Sequence, residues 1–274
     1  MDLEEINKTF YFKNSITDEQ LNFYRTYGFI HFKEFIDSTK VQNIINEIKR
    51  TQKLIIDKNI DKINGIPIKF GLDQDKNKII QRLPYSNKYS TELTNFYEDK
   101  RFEMLKSFFK PGCEPRLALL EKDGVVTNYF LNSECSNYKQ MGWHTDGLRE
   151  FFMGKKVLPM INIGIYLTQS NETNGGLRII PGTHRQSVFS MLTKKMQFLN
   201  TECDKNEFLV RAEPGDLVLH DGRIWHRVAK SPFCNERSLR IVMYVSMICG
   251  KFDLRSDVSK TPLYHHANRL VNYK

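Results

Sequence analysis

From Arg116 to Ile248 the chain is cut into short β-prone runs by Gly, Pro, Asn and Asp, and this texture limits the fold more than any other feature. Residues 160–167 (MINIGIYL) read as a strand, and 125–131, 177–180, 216–220 and 239–248 repeat the style. Short strands of this kind each bury one face, so a second sheet must cover them. The expected class is mainly β with flanking helices, a β-sandwich or jelly roll with the leading helices packed on one sheet.

The helices come first in the chain. Thr17-Asp18-Glu19-Gln20 is a capping box, and the helix it opens should run to about Tyr27 and stop at Gly28. Residues 29–32 then read as a strand. A second helix should start near Asp37-Ser38, with Val41, Ile44, Ile45 and Ile48 on its buried face. Residues 50–100 are polar and weakly periodic, so loops and short helices are expected. A helix over about 97–109 should end at Pro111-Gly112. No repeat or linker interrupts the chain. One domain over 1–274 is expected: a helical part (1–112), a jelly-roll core (about 113–250) and a tail (251–274).

Composition sets the outer bounds. A hydrophobic content of 40% supports a sizeable core. No apolar run approaches the roughly 18 residues of a membrane span, and the acidic N-terminus has no apolar signal segment, which points to the cytoplasm. Five cysteines (Cys113, Cys135, Cys203, Cys234, Cys249) are an odd number without CxxC spacing, so reduced structural thiols are expected. The net charge of +9 reads as a solvated basic face or as attraction to an anionic partner. Lysines are scattered and not blocked together, which weakens nucleic acid as that partner.

The chemistry centres on Gly142-Trp143-His144-Thr145-Asp146-Gly147. Residues two apart at a strand end point to the same side, so His144 and Asp146 can grip one metal ion. His226, far down the chain, completes a 2-His-1-carboxylate face, the usual non-haem Fe(II) oxygenase site. His220 is the rival third ligand, read first as a core or edge histidine. His184 suits a turn, His31 packing, and His265-His266 a surface pair.

Four segments together resemble the phytanoyl-CoA dioxygenase family of Fe(II)/2-oxoglutarate-dependent oxygenases. They are residues 20–36 (QLNFYRTYGFIHFKEFI), 142–147 (GWHTDG), 174–184 (NGGLRIIPGTH) and 214–226 (PGDLVLHDGRIWH), followed by Arg237. The resemblance spans roughly residues 16–250. It implies a double-stranded β-helix (jelly roll, cupin-like) with Fe(II) held by His144, Asp146 and His226, 2-oxoglutarate as co-substrate, and O2. It also implies that Arg237, eleven residues past the distal histidine, pairs with the far carboxylate of 2-oxoglutarate; Arg240 is the competitor. A guanidinium fork suits that task because it binds carboxylate bidentately and stays charged when buried. Tyr129, Asn162 and Gln140 are further candidate co-substrate contacts. Where the family often has a small hydroxyl residue or asparagine after the distal histidine, this chain has Arg227-Val228-Ala229-Lys230.

The implied activity is hydroxylation of a small-molecule or acyl-type substrate, an anionic one included, with release of succinate and CO2. Asp146 favours oxygen transfer over halogenation, since related halogenases put a small residue there to admit chloride. The alternatives are a nucleic-acid demethylase of the same chemistry and a non-catalytic jelly-roll protein that binds a metal or small ligand. The substrate pocket is expected from residues 50–100, from the 148–157 loop with Phe151 and Phe152, and from the tail after Cys249.

Overall fold

In a computed structural model the described residues are 3–134, 136, 138–152, 156–262 and 264–265. Cys135, His266 and the Phe152 side chain lie outside them. The main strands are β1 (Phe29–Lys33), β2 (Lys69–Leu72), β3 (Lys78–Leu83), β4 (Val126–Phe130), β5 (Met141–His144), β6 (Met160–Tyr166), β7 (Leu177–Ile180), β8 (Phe208–Val210), β9 (Leu217–Asp221), β10 (Trp225–Val228) and β11 (Arg240–Ile248). The major sheet runs β1-β9-β6-β11-β4-β3-β2, with Phe10–Tyr11 beside β1 and Arg116–Leu117 on β11, nine strands in all. The minor sheet is β8-β7-β10-β5. Every pairing within the two sheets is antiparallel except Phe10–Tyr11 with β1. The jelly-roll class expected from the strand texture is the class observed.

Helix α1 (Asp18–Tyr27) begins with both halves of the capping box in place: Gln20 N–H donates to Thr17 Oγ1 and Thr17 N–H to Gln20 Oε1. Gly28 ends it at φ 79°, where a Cβ would also sit 2.4 Å from His184 Nδ1. Helix α2 (Ser38–Asp57) is capped by Asp37 and buries Val41, Ile44, Ile48 and Ile55. Phe23 and Tyr24 of α1 and Ile44 and Ile48 of α2 share one core with Ile161, Ile163 and Ile165 of β6. Each such isoleucine contributes about 1.5–3 kcal/mol by burial. The other face of β6 looks inward, and Met160 and Asn162 line a cavity there.

Asp216, just before β9, ties β1 to the sheet. Its carboxylate accepts from His31 Nε2 (2.7 Å), Lys33 Nζ (2.8 Å) and the backbone N–H groups of Glu34 (3.0 Å) and Glu213 (2.8 Å). His31 is thus a hydrogen-bonding partner and more than packing.

Several expectations are corrected. Residues 50–100 contribute strands β2 and β3 to the major sheet. The helix expected over 97–109 is instead Thr91–Phe96, Arg101–Met104 and a 3-10 turn, Leu105–Phe108. Asp99 causes the break, since its carboxylate takes both the backbone N–H and the guanidinium of Arg101. Cys113 and Cys249 form a disulfide with Cα atoms 6.0 Å apart, because Arg116–Leu117 runs alongside the end of β11. Among the described residues Cys203 and Cys234 are free and exposed. No helix among the described residues is long and apolar enough to cross a membrane.

Candidate metal centre and its cavity

The two candidate histidines face each other across one antiparallel pair, His226 of β10 in register with His144 of β5. Their ring centroids lie 4.0 Å apart. Gly142 lets β5 run this close to the chain covering it, since a Cβ there would sit 2.2 Å from the Phe198 carbonyl oxygen. Phe198 in turn stacks on the His144 ring at 4.5 Å. Asp146 lies two residues beyond β5, with Oδ1 3.9 Å from His144 Nε2 and Oδ2 3.4 Å from His226 Nε2. One ligand atom from each of the three residues falls within 4.8 Å of the others.

Backbone carbonyls set the imidazole tautomers. His144 Nδ1 donates to Gly142 O (2.8 Å) and His226 Nδ1 to Ile224 O (3.1 Å). Both Nε2 lone pairs therefore point at the site, as metal ligation requires. Burial, only partly opposed by Asp146, pushes the His144 pKa down; burial and the neighbouring His144 push His226 lower still. Burial alone would raise the Asp146 carboxyl, but His226, His220 and His144 hold it well below the ordinary range. Two neutral imidazoles and one carboxylate form a donor set that suits a divalent metal.

The major sheet supplies the support. His220, Asn162 and Ser246 form one row across β9, β6 and β11. Ser246 Oγ donates to Asn162 Oδ1 (2.7 Å), and Asn162 Nδ2 donates to Asp146 Oδ2. His226 and His220 prove to lie on different strands in different sheets, because the chain turns between β9 and β10. His220 is more than a core histidine. It lines the cavity with Nε2 3.7 Å from Asp146, and neither ring nitrogen has a hydrogen-bond partner. His184 sits on a turn away from the site, with Nε2 near Arg25 O.

The triad opens on a cavity of about 1060 Å³. Of the two candidate arginines, Arg240 and not Arg237 is the buried one. Arg237 lies on an exposed 3-10 turn, Asn235–Ser238, with its guanidinium over the Phe233 ring. That turn delays the strand, which begins only at Arg240. Arg240 shares its strand side with Tyr244 and Ser246, both cavity-lining, and is 2% exposed. Its guanidinium rests on Phe130 (4.5 Å) and reaches only the Asn174 carbonyl (3.4 Å). No carboxylate pairs with it among the described residues, and burial lowers its pKa.

Two other candidates are also corrected. Tyr129 points away from the cavity because its strand neighbours Val126 and Asn128 take the inward positions. Gln140 is exposed. The inward residues are Asn128, whose Oδ1 is buried without a partner, and Tyr138, stacked on Phe130 at 4.7 Å with an unpartnered hydroxyl. Strand parity at Asn128 was the available signal; nothing local marks Tyr138. Phe151 is exposed and stands outside the cavity lining, whereas Pro262, Tyr264 and His265 of the tail form part of it.

Fold and site together define a non-haem iron oxygenase of the 2-His-1-carboxylate class dependent on 2-oxoglutarate. The phytanoyl-CoA dioxygenase family profile matches residues 24–230, and the chain belongs to that family. No curated protein matches it in sequence. Among solved structures, EctD from S. alaskensis with bound Fe is similar at TM-score 0.62 and 15% identity, over 96% of this chain and 88% of that one. The epimerase SnoN from nogalamycin biosynthesis, in complex with Fe3+, alpha ketoglutarate and nogalamycin RO, is similar at TM-score 0.60 and 12% identity, over 84% and 82%. The carbocyclase SnoK of the same biosynthesis reaches 0.60 at 13% identity, over 93% and 90%.

Proposed function

We propose that the chain hydroxylates a small molecule, with His144, Asp146 and His226 holding Fe(II) and Arg240 binding the far carboxylate of 2-oxoglutarate. The observation that carries this reading is the unpaired, buried Arg240 on the same strand side as the groups that support the triad. An uncompensated buried guanidinium is costly, and a carboxylate from outside the chain removes that cost.

Asn162 keeps the Asp146 carboxylate turned toward the two imidazoles. Phe198 and the buried faces of Trp143 and Trp225 keep the minor-sheet side of the centre dry. Iron with 2-oxoglutarate and O2 supplies the oxidation, one oxygen atom going to substrate and the other to succinate as CO2 leaves. A carboxylate at position 146, where halide-transferring relatives need space, supports oxygen transfer.

The test is anaerobic addition of 2-oxoglutarate to the Fe(II)-loaded protein. A charge-transfer absorbance should appear and be lost in Arg240→Met but kept in Arg237→Ala. Absence of the band in the wild type would overturn the reading.

A further inference from the structure

Away from the triad, the cavity wall carries a second, positively charged feature. Lys69 of β2 and Arg82 of β3 are direct cross-strand partners, and Arg82 is in turn paired with Asn128 of β4. All three line the cavity. Like charges directly opposite one another destabilise a sheet. A carboxylate would normally relieve them, yet Lys69 has none among the described residues; its ammonium lies over the Tyr138 ring at 4.7 Å. Arg82 has Asp123 at 2.6 Å, but that carboxylate also serves Arg149 at 2.9 Å and accepts from the Tyr264 hydroxyl at 2.8 Å. Arg149 Nε, buried at the same wall, finds no acceptor. Lys122 is satisfied by Glu150, and Asp61 stands at the exposed rim.

This positive pair is distinct from the Arg240 end. Arg240 lies over Phe130, Phe130 stacks on Tyr138, and Lys69 lies over Tyr138, so two aromatic rings stand between the two cations. Burial and the adjacent Arg82 lower the Lys69 pKa to about 8, as expected for a buried ammonium with a cation and no carboxylate beside it.

We infer that Lys69 and Arg82 form the subsite for an oxyanion of the substrate, a carboxylate or a phosphate, so that the enzyme oxidises a small acidic molecule held at one end by this pair and presented at the other to the triad. The inference rests on the hydroxylase reading above, with Arg240 taking the co-substrate.

The experiment measures thermal stabilisation of the Fe(II)-loaded protein by inorganic phosphate and, separately, by hexanoate, at constant ionic strength. Saturable binding of either anion is expected, and which one binds identifies the source of the oxyanion. Lys69→Met should weaken it at least tenfold and Lys69→Arg should restore most of it, while the 2-oxoglutarate absorbance band of both variants stays within twofold of wild type. Equal anion binding by wild type and Lys69→Met, or no saturable binding of either anion, would overturn the subsite. So would loss of the 2-oxoglutarate band in Lys69→Met, which would hand the lysine to the co-substrate. A missing band in the wild type with anion binding intact would instead reject the Arg240 reading and leave the oxyanion subsite standing.

Discussion

Asn162 on the major sheet donates its side-chain amide to Asp146, on the loop leaving the minor sheet, and so fixes a metal-facing carboxylate from the opposite wall of the fold. Ser246 holds the Asn162 amide in that orientation through its Oδ1. Outer partners of this kind typically change metal affinity by about 10–100-fold. Asn162→Ala should therefore weaken Fe(II) binding by about that factor with the fold intact, and Ser246→Ala by less. Metal titration with circular dichroism as a fold control checks this; unchanged affinity in Asn162→Ala would remove the role.

His220 and His226 separate by the same method. His226 has its Nδ1 anchored and its Nε2 aimed at the site, whereas His220 is held by no hydrogen bond on either nitrogen. His226→Ala should abolish stoichiometric iron binding, and His220→Ala should leave one iron per chain. Equal loss from both would make His220 a ligand.

Removing the Arg240 guanidinium should weaken 2-oxoglutarate binding roughly hundredfold, about 3 kcal/mol, as truncation of one partner in a buried charge pair does. Arg237→Ala should leave it unchanged, since that side chain is exposed and stacked on Phe233. Titration of the charge-transfer band gives both constants directly.

The contrast between these arginines shows where sequence reading stops. The capping box at Thr17 and the stop at Gly28 depend on residues within one or two turns, so local chemistry announces them. His144 and Asp146 are equally local. Arg240 is not, because the 3-10 turn at Asn235–Ser238 shifts where the last strand begins, and a residue count from His226 cannot see it. Strands β2 and β3 escaped for another reason. Lys69 and Arg82 put charge on the face that a core strand would fill with apolar side chains, so the alternation looks like a loop. Tyr129 was a matter of parity, since one residue along a strand decides between cavity and outer face.

Asp216 offers a stability test remote from the metal. Burial would raise its carboxyl, but His31, Lys33 and two backbone N–H groups hold it below the ordinary value. A carboxylate with a depressed folded pKa stabilises the fold above its unfolded value, about 3.9, and that contribution is lost as pH falls through the folded pKa. Asp216→Ala should cost about 3–5 kcal/mol in urea unfolding at neutral pH, the usual penalty for breaking a buried pair. The wild type should lose stability below about pH 4 more steeply than the variant. Parallel acid limbs would show that Asp216 does not carry the effect.

Lys69 gives the opposite sign. Its folded pKa of about 8 lies below the model-compound value of 10.5, so between those values the unfolded chain binds the extra proton and stability rises with pH. Oxyanion binding needs the ammonium and must run the other way. Affinity for hexanoate, which stays a monoanion throughout this range, should be flat well below pH 8 and then fall toward tenfold per pH unit above it, until the bound-state pKa is no longer limiting. The facing groups do not confuse the profile: Arg82 is raised above the ordinary arginine value, and burial pushes the Tyr138 phenol up to about 12. In Lys69→Arg the decline above pH 8 should vanish while binding persists. A wild-type profile flat from pH 7 to 10, measured by calorimetry at constant ionic strength, would exclude the lysine as the group that holds the anion.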